Sequence, residues 1–165
     1  MTEIEVPLES VQEEIHHHAL HEKNSMISRA AILSAFMAVF AAIAALFAGH
    51  FANEALIEQI QSSNQWGYYQ AKGIKASIAE LKDQPEKVEK YKEEQVEIKK
   101  AAEEQTTESV HHLHKHESLA TAVTFFQVSI AMIAIAILSS RKKFLTLAMC
   151  MSALGLFWFC KGFLL

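Results

Sequence analysis

Histidine is the residue type best able to do chemistry in this chain, and its nine copies are unevenly spread. Four stand at His16, His17, His18 and His21, and four more at His111, His112, His114 and His116. His17 with His21, and His112 with His116, have the i, i+4 spacing that lets two imidazoles share a metal on one helical face. Glu14 and Glu108 precede His17 and His111 by three residues, a spacing used in di-iron bundles. Imidazole also changes charge between about pH 5 and 8. His112 and His116, with His50 at a similar depth, therefore form the candidate metal group, for zinc or a similar divalent ion, or a pH sensor. The competing reading makes them interfacial side chains near lipid head groups.

Other chemistry is hard to assemble. There is no Gly-rich phosphate loop. Ser34, Ser129, Ser139 and Ser152 lie among apolar neighbours and read as helix-packing hydroxyls. Glu93 and Glu94, or Glu103 and Glu104, alternate with Lys92, Lys99 and Lys100, as on a solvated helix face. Cys150 and Cys160 are ten apart in one apolar run and share no helical face, which argues against a disulfide between them. The sequence offers no catalytic set, and no enzyme is expected.

The elements that carry these residues are set by three uncharged apolar runs, 30–49, 119–140 and 144–160. The first two match the ~20 residues that a bilayer requires. Ile32, Leu33, Phe36, Val39, Phe40, Ile43, Leu46 and Phe47 favour insertion of the first by roughly 2 to 5 kcal/mol. In the second, Gln127 is the strongly polar group, to be sheltered against a neighbouring helix. The third extends to 144–163 if Lys161 snorkels. The fold expected is an all-α membrane protein with three transmembrane helices. A polar stretch precedes the first span, so that span reads as an uncleaved anchor rather than a signal peptide.

Lysine and arginine near the span ends set the orientation. Lys23, Arg29, Arg141, Lys142 and Lys143 lie on one side, against Lys115 and Lys161 on the other. The N-terminus is expected in the cytoplasm, with residues 50–117 and the C-terminus outside it. Net charge is −4 for residues 1–29, −4 for 50–117 and +4 for the remainder. Nucleic acid is excluded as a partner because a polyanion binder needs a basic face. The one dense basic cluster, 141–143, would meet anionic lipid head groups.

Residues 50–117 read as a long antiparallel helical hairpin that extends the first two spans. Leu56, Ile60, Ser63, Gly67, Ala71, Ile74, Ile78 and Leu81 recur in steps of three and four. Asp83, Gln84 and Pro85 break the helix, with Pro85 suited to the first turn of the next. Val88, Tyr91, Gln95, Ile98, Ala102, Gln105, Ser109, His112 and His116 then form a polar heptad seam. Each arm would rise roughly 50 Å. Two such helices lack a complete core, so neighbouring copies are expected to finish the packing, giving a homo-oligomer.

Small residues Ala41, Ala45 and Gly49 recur every fourth position in the first span, as do Ala30, Ser34 and Ala38, and suit close helix packing in lipid, either between copies or among the three spans. Gly67 and Gly73 flank the aromatic stretch of the first arm. Each glycine costs a helix roughly 0.5 to 1 kcal/mol relative to alanine, which suggests close contacts. With Trp66, Tyr68 and Tyr69 they make the candidate interaction surface. A ligand-binding aromatic patch is the alternative. Residues 1–29 read as an amphipathic cytoplasmic helix with Leu8, Val11, Ile15, Ala19 and Met26 on one face.

Three stretches carry a resemblance. They are Ala48-Gly49-His50-Phe51-Ala52-Asn53-Glu54-Ala55, Asn64-Gln65-Trp66-Gly67-Tyr68-Tyr69-Gln70-Ala71-Lys72-Gly73-Ile74-Lys75 and His111-His112-Leu113-His114-Lys115-His116-Glu117. They resemble the signature stretches of a bacterial membrane-protein family known as domain of unknown function four-three-three-seven, over nearly the whole chain. Gly67 stands where that family leads one to expect alanine. The resemblance implies a bacterial inner-membrane location and supplies no activity. The function expected is an oligomeric inner-membrane scaffold or accessory subunit that offers its hairpin to a protein partner. The alternatives are a small homo-oligomeric channel or transporter, with Thr121, Thr124, Gln127 and Ser129 as a partial polar stripe, and the histidine-based metal or pH sensor.

Overall fold

A computed structural model describes residues 25–165. The first histidine cluster and the stripe Leu8, Val11, Ile15 and Ala19 lie outside the described residues. Three helices make up the described chain: α1 (Ser25–Leu81), α2 (Pro85–Ser139) and α3 (Lys142–Leu164). Among the described residues there is no strand. Each helix is long and apolar enough to cross a membrane. Residues 25–29, which the sequence assigns to the N-terminal amphipathic piece, continue directly into α1.

Local chemistry explains where the helices stop. Asp83 has φ of 52°, Asp83 N–H donates to the Glu80 carbonyl and Gln84 N–H to the Ala79 carbonyl. This is a Schellman end, with an aspartate taking the left-handed position that glycine usually fills. Pro85 then opens α2, where its missing N–H is no loss. Ser140 has φ of 51° at the end of α2, and the extended Arg141 precedes α3.

The chain divides into two compact units. One comprises the described residues up to Ala48 together with Glu117–Leu165; the other is Gly49–His116. In the first unit, Ile27, Ala30, Ala31, Ile133, Ile137 and Ala148 form one buried cluster. Ala44, Ala122 and Phe126 form another, flanked by Phe40, Trp158 and Phe159. Phe40 lies 5.8 Å edge-on from Phe159 and 5.9 Å from Phe126, within the range where aromatic pairs attract beyond their buried area.

The third helix approaches α2 along a row of small residues, Ala148, Ser152, Gly155 and Gly162, all buried. A Cβ on Gly162 would lie 2.7 Å from Leu119, so side chains there would force the helices apart. Ser129 Oγ donates to the Ala148 carbonyl at 2.9 Å and lies 2.6 Å from Ser152 Oγ. In hydrocarbon such hydroxyls hold helices together because no water competes for them. Lys161 Nζ stands 4.3 Å from the centroid of the Trp158 ring, within the range where a cation is attracted to a ring face. Gln127, by contrast, is exposed rather than sheltered, while Ser129 faces α3, so the two do not share a face.

In the second unit, α1 and α2 meet along a seam of small and polar side chains. Ser109 Oγ donates to the Ala55 carbonyl at 2.8 Å, Ser62 Oγ to the Ala102 carbonyl at 3.1 Å, and Gln95 Nε2 to the Tyr69 carbonyl at 3.0 Å. As the α1 partner advances from 55 to 62 to 69, its α2 partner retreats from 109 to 102 to 95. Ala55, Ser62, Ala76, Ala79, Ala102 and Ser109 are buried here. The α2 seam read from sequence, Val88 through His116, is at least half-buried throughout.

Candidate interaction surface

The α1 segment of the second unit carries two stripes, and the apolar one does not face α2. Phe51, Ala55, Glu58, Ser62, Gln65, Tyr69, Lys72, Ala76 and Ala79 repeat in strict steps of four and three, and each is buried or half-buried. Leu56, Ile60, Ser63, Gly67, Ala71, Ile74, Ile78 and Leu81, the stripe that hydrophobicity singles out, are all exposed. The reason is steric. Alanine and serine let two helices approach closely enough for side chains to bond to the opposite backbone, as Ser62 and Ser109 do. Leucine and isoleucine on that face would hold the helices apart.

The aromatic group divides between the two faces. Trp66 and Tyr69 are half-buried and pack edge to face, with ring centroids 5.6 Å apart. Gly73 faces α2, where an added Cβ would meet Gln95 Nε2 at 2.9 Å. The close contact that its presence suggested is thus made within the chain. Gly67 has open space around the Cβ position, and Tyr68 beside it is 62% exposed. Of the five candidate residues, Gly67 and Tyr68 face away from α2.

The helix-packing trio divides in the same way. Ala41 packs in the Phe126 cluster of the first unit, while Ala45 is exposed. Gly49, the first residue of the second unit, is also exposed, with nothing near its Cβ position. The small residues that the first unit buries on α1 are Ala30, Ala31, Ser34, Ala44 and Ala48.

The described histidines do not converge with other ligand side chains. Among the described residues no group of three or more His, Cys, Asp and Glu side chains is placed to hold a metal ion. Phase along the helix is the cause. It is Phe51, not His50, that turns toward α2, and its ring stacks on His112 at 5.8 Å with 20° between planes. His50 is exposed, and Lys115 Nζ stands 5.4 Å from the centroid of the Phe51 ring. His116 is half-buried.

A cluster that sequence reading missed lies one turn away. Burial raises the pKa of the Glu58 carboxyl above its ordinary 4.5; a hydrogen bond and like charge from Glu108 act the same way, His112 opposes them, and Glu54 adds to the rise. One Glu58 oxygen and His112 Nδ1 are buried without a hydrogen-bond partner. Further along the seam, Lys72 pairs with Glu94, chiefly through a hydrogen bond that lowers the Glu94 pKa, and Lys72 Nζ also stands 5.4 Å from the Tyr91 ring centroid. The strict heptad on which Glu58 and Lys72 fall was the available signal for both.

The outer sides of the two segments differ in charge. On α2 the exposed positions include Glu89, Lys90, Lys92, Glu93, Glu97 and Lys99, a solvated face of mixed sign. On α1, residues 59–71 contain no charged side chain at all. An exposed apolar stripe without charge is a surface that water covers poorly.

No curated protein and no solved structure matches the chain. Residues 26–88 and 81–165 match the family described as Domain of unknown function (DUF4337), and the chain belongs to that family.

Proposed function

We propose that this chain is an oligomeric scaffold or accessory subunit of the bacterial inner membrane. Its three helices cross the bilayer, with the N-terminus and residues 140–143 in the cytoplasm. The Gly49–His116 unit is then an antiparallel helical hairpin outside the cytoplasm that presents the outer side of α1 to protein. The lysine and arginine asymmetry at the span ends supports this orientation. The observation that carries the functional reading is the exposed row of Leu56, Ile60, Ile74, Ile78 and Leu81, whose central stretch, residues 59–71, carries no charge. Gln127, exposed in an apolar helix, gives further support, because an amide in lipid is stabilised by bonding to a neighbouring helix.

The test is the mass of the complex solubilised in mild detergent, together with identification of anything that copurifies. An assembly heavier than one chain, or a stoichiometric protein partner, is expected. A bare monomer from native membranes overturns the proposal.

A further inference from the structure

We infer that the outer face of α1 in the second unit is covered by a second copy of this chain, with two α1 helices parallel and closest at Gly67. The inference rests on the scaffold reading above and names the occupant of its surface. A parallel two-fold contact sets each residue against its own counterpart, so any charge at the centre would meet itself. Residues 59–71 carry none, whereas the outer face of α2 is densely charged. The centre of the stripe is also small. Ser63, Gly67 and Ala71 follow one another at four-residue intervals, and nothing in the chain itself occupies the space beside Gly67. Larger side chains flank this saddle: Leu56 and Ile60 before it, Ile74 and Ile78 after it.

Size agrees with a specific contact. Ile74 is 63% exposed and Leu81 88%, and the other aliphatic members of the row are about half exposed. At roughly 100 Å² for each of these side chains and Tyr68, the row offers on the order of 600 Å² of mostly apolar surface per copy. A standard specific interface buries about 800 Å² per partner, and the polar residues between the apolar ones supply the rest. Direction follows from insertion: copies anchored the same way in one bilayer present their α1 helices in parallel.

The full-length chain with Cys150→Ala and Cys160→Ala is the background for the test. Gly67→Cys, Ile74→Cys and Glu97→Cys are introduced singly, and native membranes are oxidised with copper phenanthroline. Gly67→Cys and Ile74→Cys are expected to form covalent dimers several-fold more efficiently than Glu97→Cys on the outer face of α2. Self-linking at residue 74 requires parallel helices, since an antiparallel pair centred on Gly67 would separate its two copies by about 20 Å. In parallel, Ile60→Lys with Ile74→Lys changes only exposed positions, so helix content is expected to be unchanged while the detergent complex falls to the mass of one chain. Equal linking at residues 67 and 97, or an unchanged mass after the two lysine substitutions, overturns the inference. If the complex is still oligomeric, or holds a different protein on this face, the scaffold reading stands without it. A monomeric wild-type chain with nothing bound overturns both.

Discussion

A Cβ built on Gly155 would stand 2.7 Å from the ring of Phe126, closer than side-chain carbons approach in folded proteins. The third helix therefore reaches α2 only because residue 155 has no side chain, and this outweighs the helix propensity that glycine forfeits. Gly155→Ala is expected to destabilise the first unit by about 1 to 3 kcal/mol through overpacking, even though alanine is the better helix former by ~0.5 to 1 kcal/mol. Unfolding in a mixed-micelle titration checks it, and a neutral or stabilising result would show that α3 moves freely.

Ser62 bridges the second unit by donating to the Ala102 carbonyl while lying 2.7 Å from Thr106 Oγ. Ser62→Ala keeps the small volume and removes the bond, so a loss of about 0.5 to 1.5 kcal/mol is expected. Ser63→Ala, one position along and exposed, serves as the control and should leave thermal stability unchanged.

Two carboxyls give the second unit opposite responses to pH. The Glu58 pKa is raised, so its stabilising contribution is fully present below 4.5 and is lost as pH rises through the raised value. The Glu94 pKa is lowered, so its contribution is present above 4.5 and is lost as pH falls through the lowered value. Glu58→Gln should flatten the decline of stability above pH 4.5, and Glu94→Gln the decline below it. Thermal melts of the three proteins across pH separate the two effects, and identical pH profiles for wild type and Glu58→Gln would remove the carboxyl cluster from the account.

Ser140 and Asp83 end their helices with positive φ. Ser140→Gly is expected to stabilise by ~1 kcal/mol because it removes the left-handed penalty of a side chain. Asp83→Gly should gain less, since aspartate visits that region more readily. A melting temperature that falls for Ser140→Gly would contradict the capping geometry.

The helices, the turn at Asp83–Pro85 and the α2 seam were legible in the sequence because each follows from strong local chemistry. Proline, an apolar period and an unbroken alternation of steps leave few alternatives. The α1 seam was not legible in the same way. Its members Ala55, Glu58, Ser62, Gln65 and Lys72 are no more apolar than a surface, so hydrophobicity points instead to the neighbouring row from Leu56 to Leu81. Packing here is decided by side-chain size, with Ser62 and Ala55 chosen for closeness. The same holds in α3, where Ala148, Ser152, Gly155 and Gly162 repeat at helical spacing, a signal that attention to small residues would have found. At His50 depth and facing are separate matters: one step along a helix turns a side chain by about 100°, so Phe51 rather than His50 meets His112.

The hydroxyl chain from Ser129 through Ser152 to the Ala148 carbonyl fixes something that greasy contacts cannot. Phenylalanine and leucine tolerate sliding, since one hydrocarbon neighbour is nearly as good as another. Moving α3 along its axis by a single turn, about 5.4 Å, would take both the Ala148 carbonyl and the Ser152 hydroxyl away from Ser129, while Ser152 would keep its bond to Ala148 within its own helix. The last helix is thus keyed to one register against α2 by two small alcohols, where apolar contacts alone would let it slip.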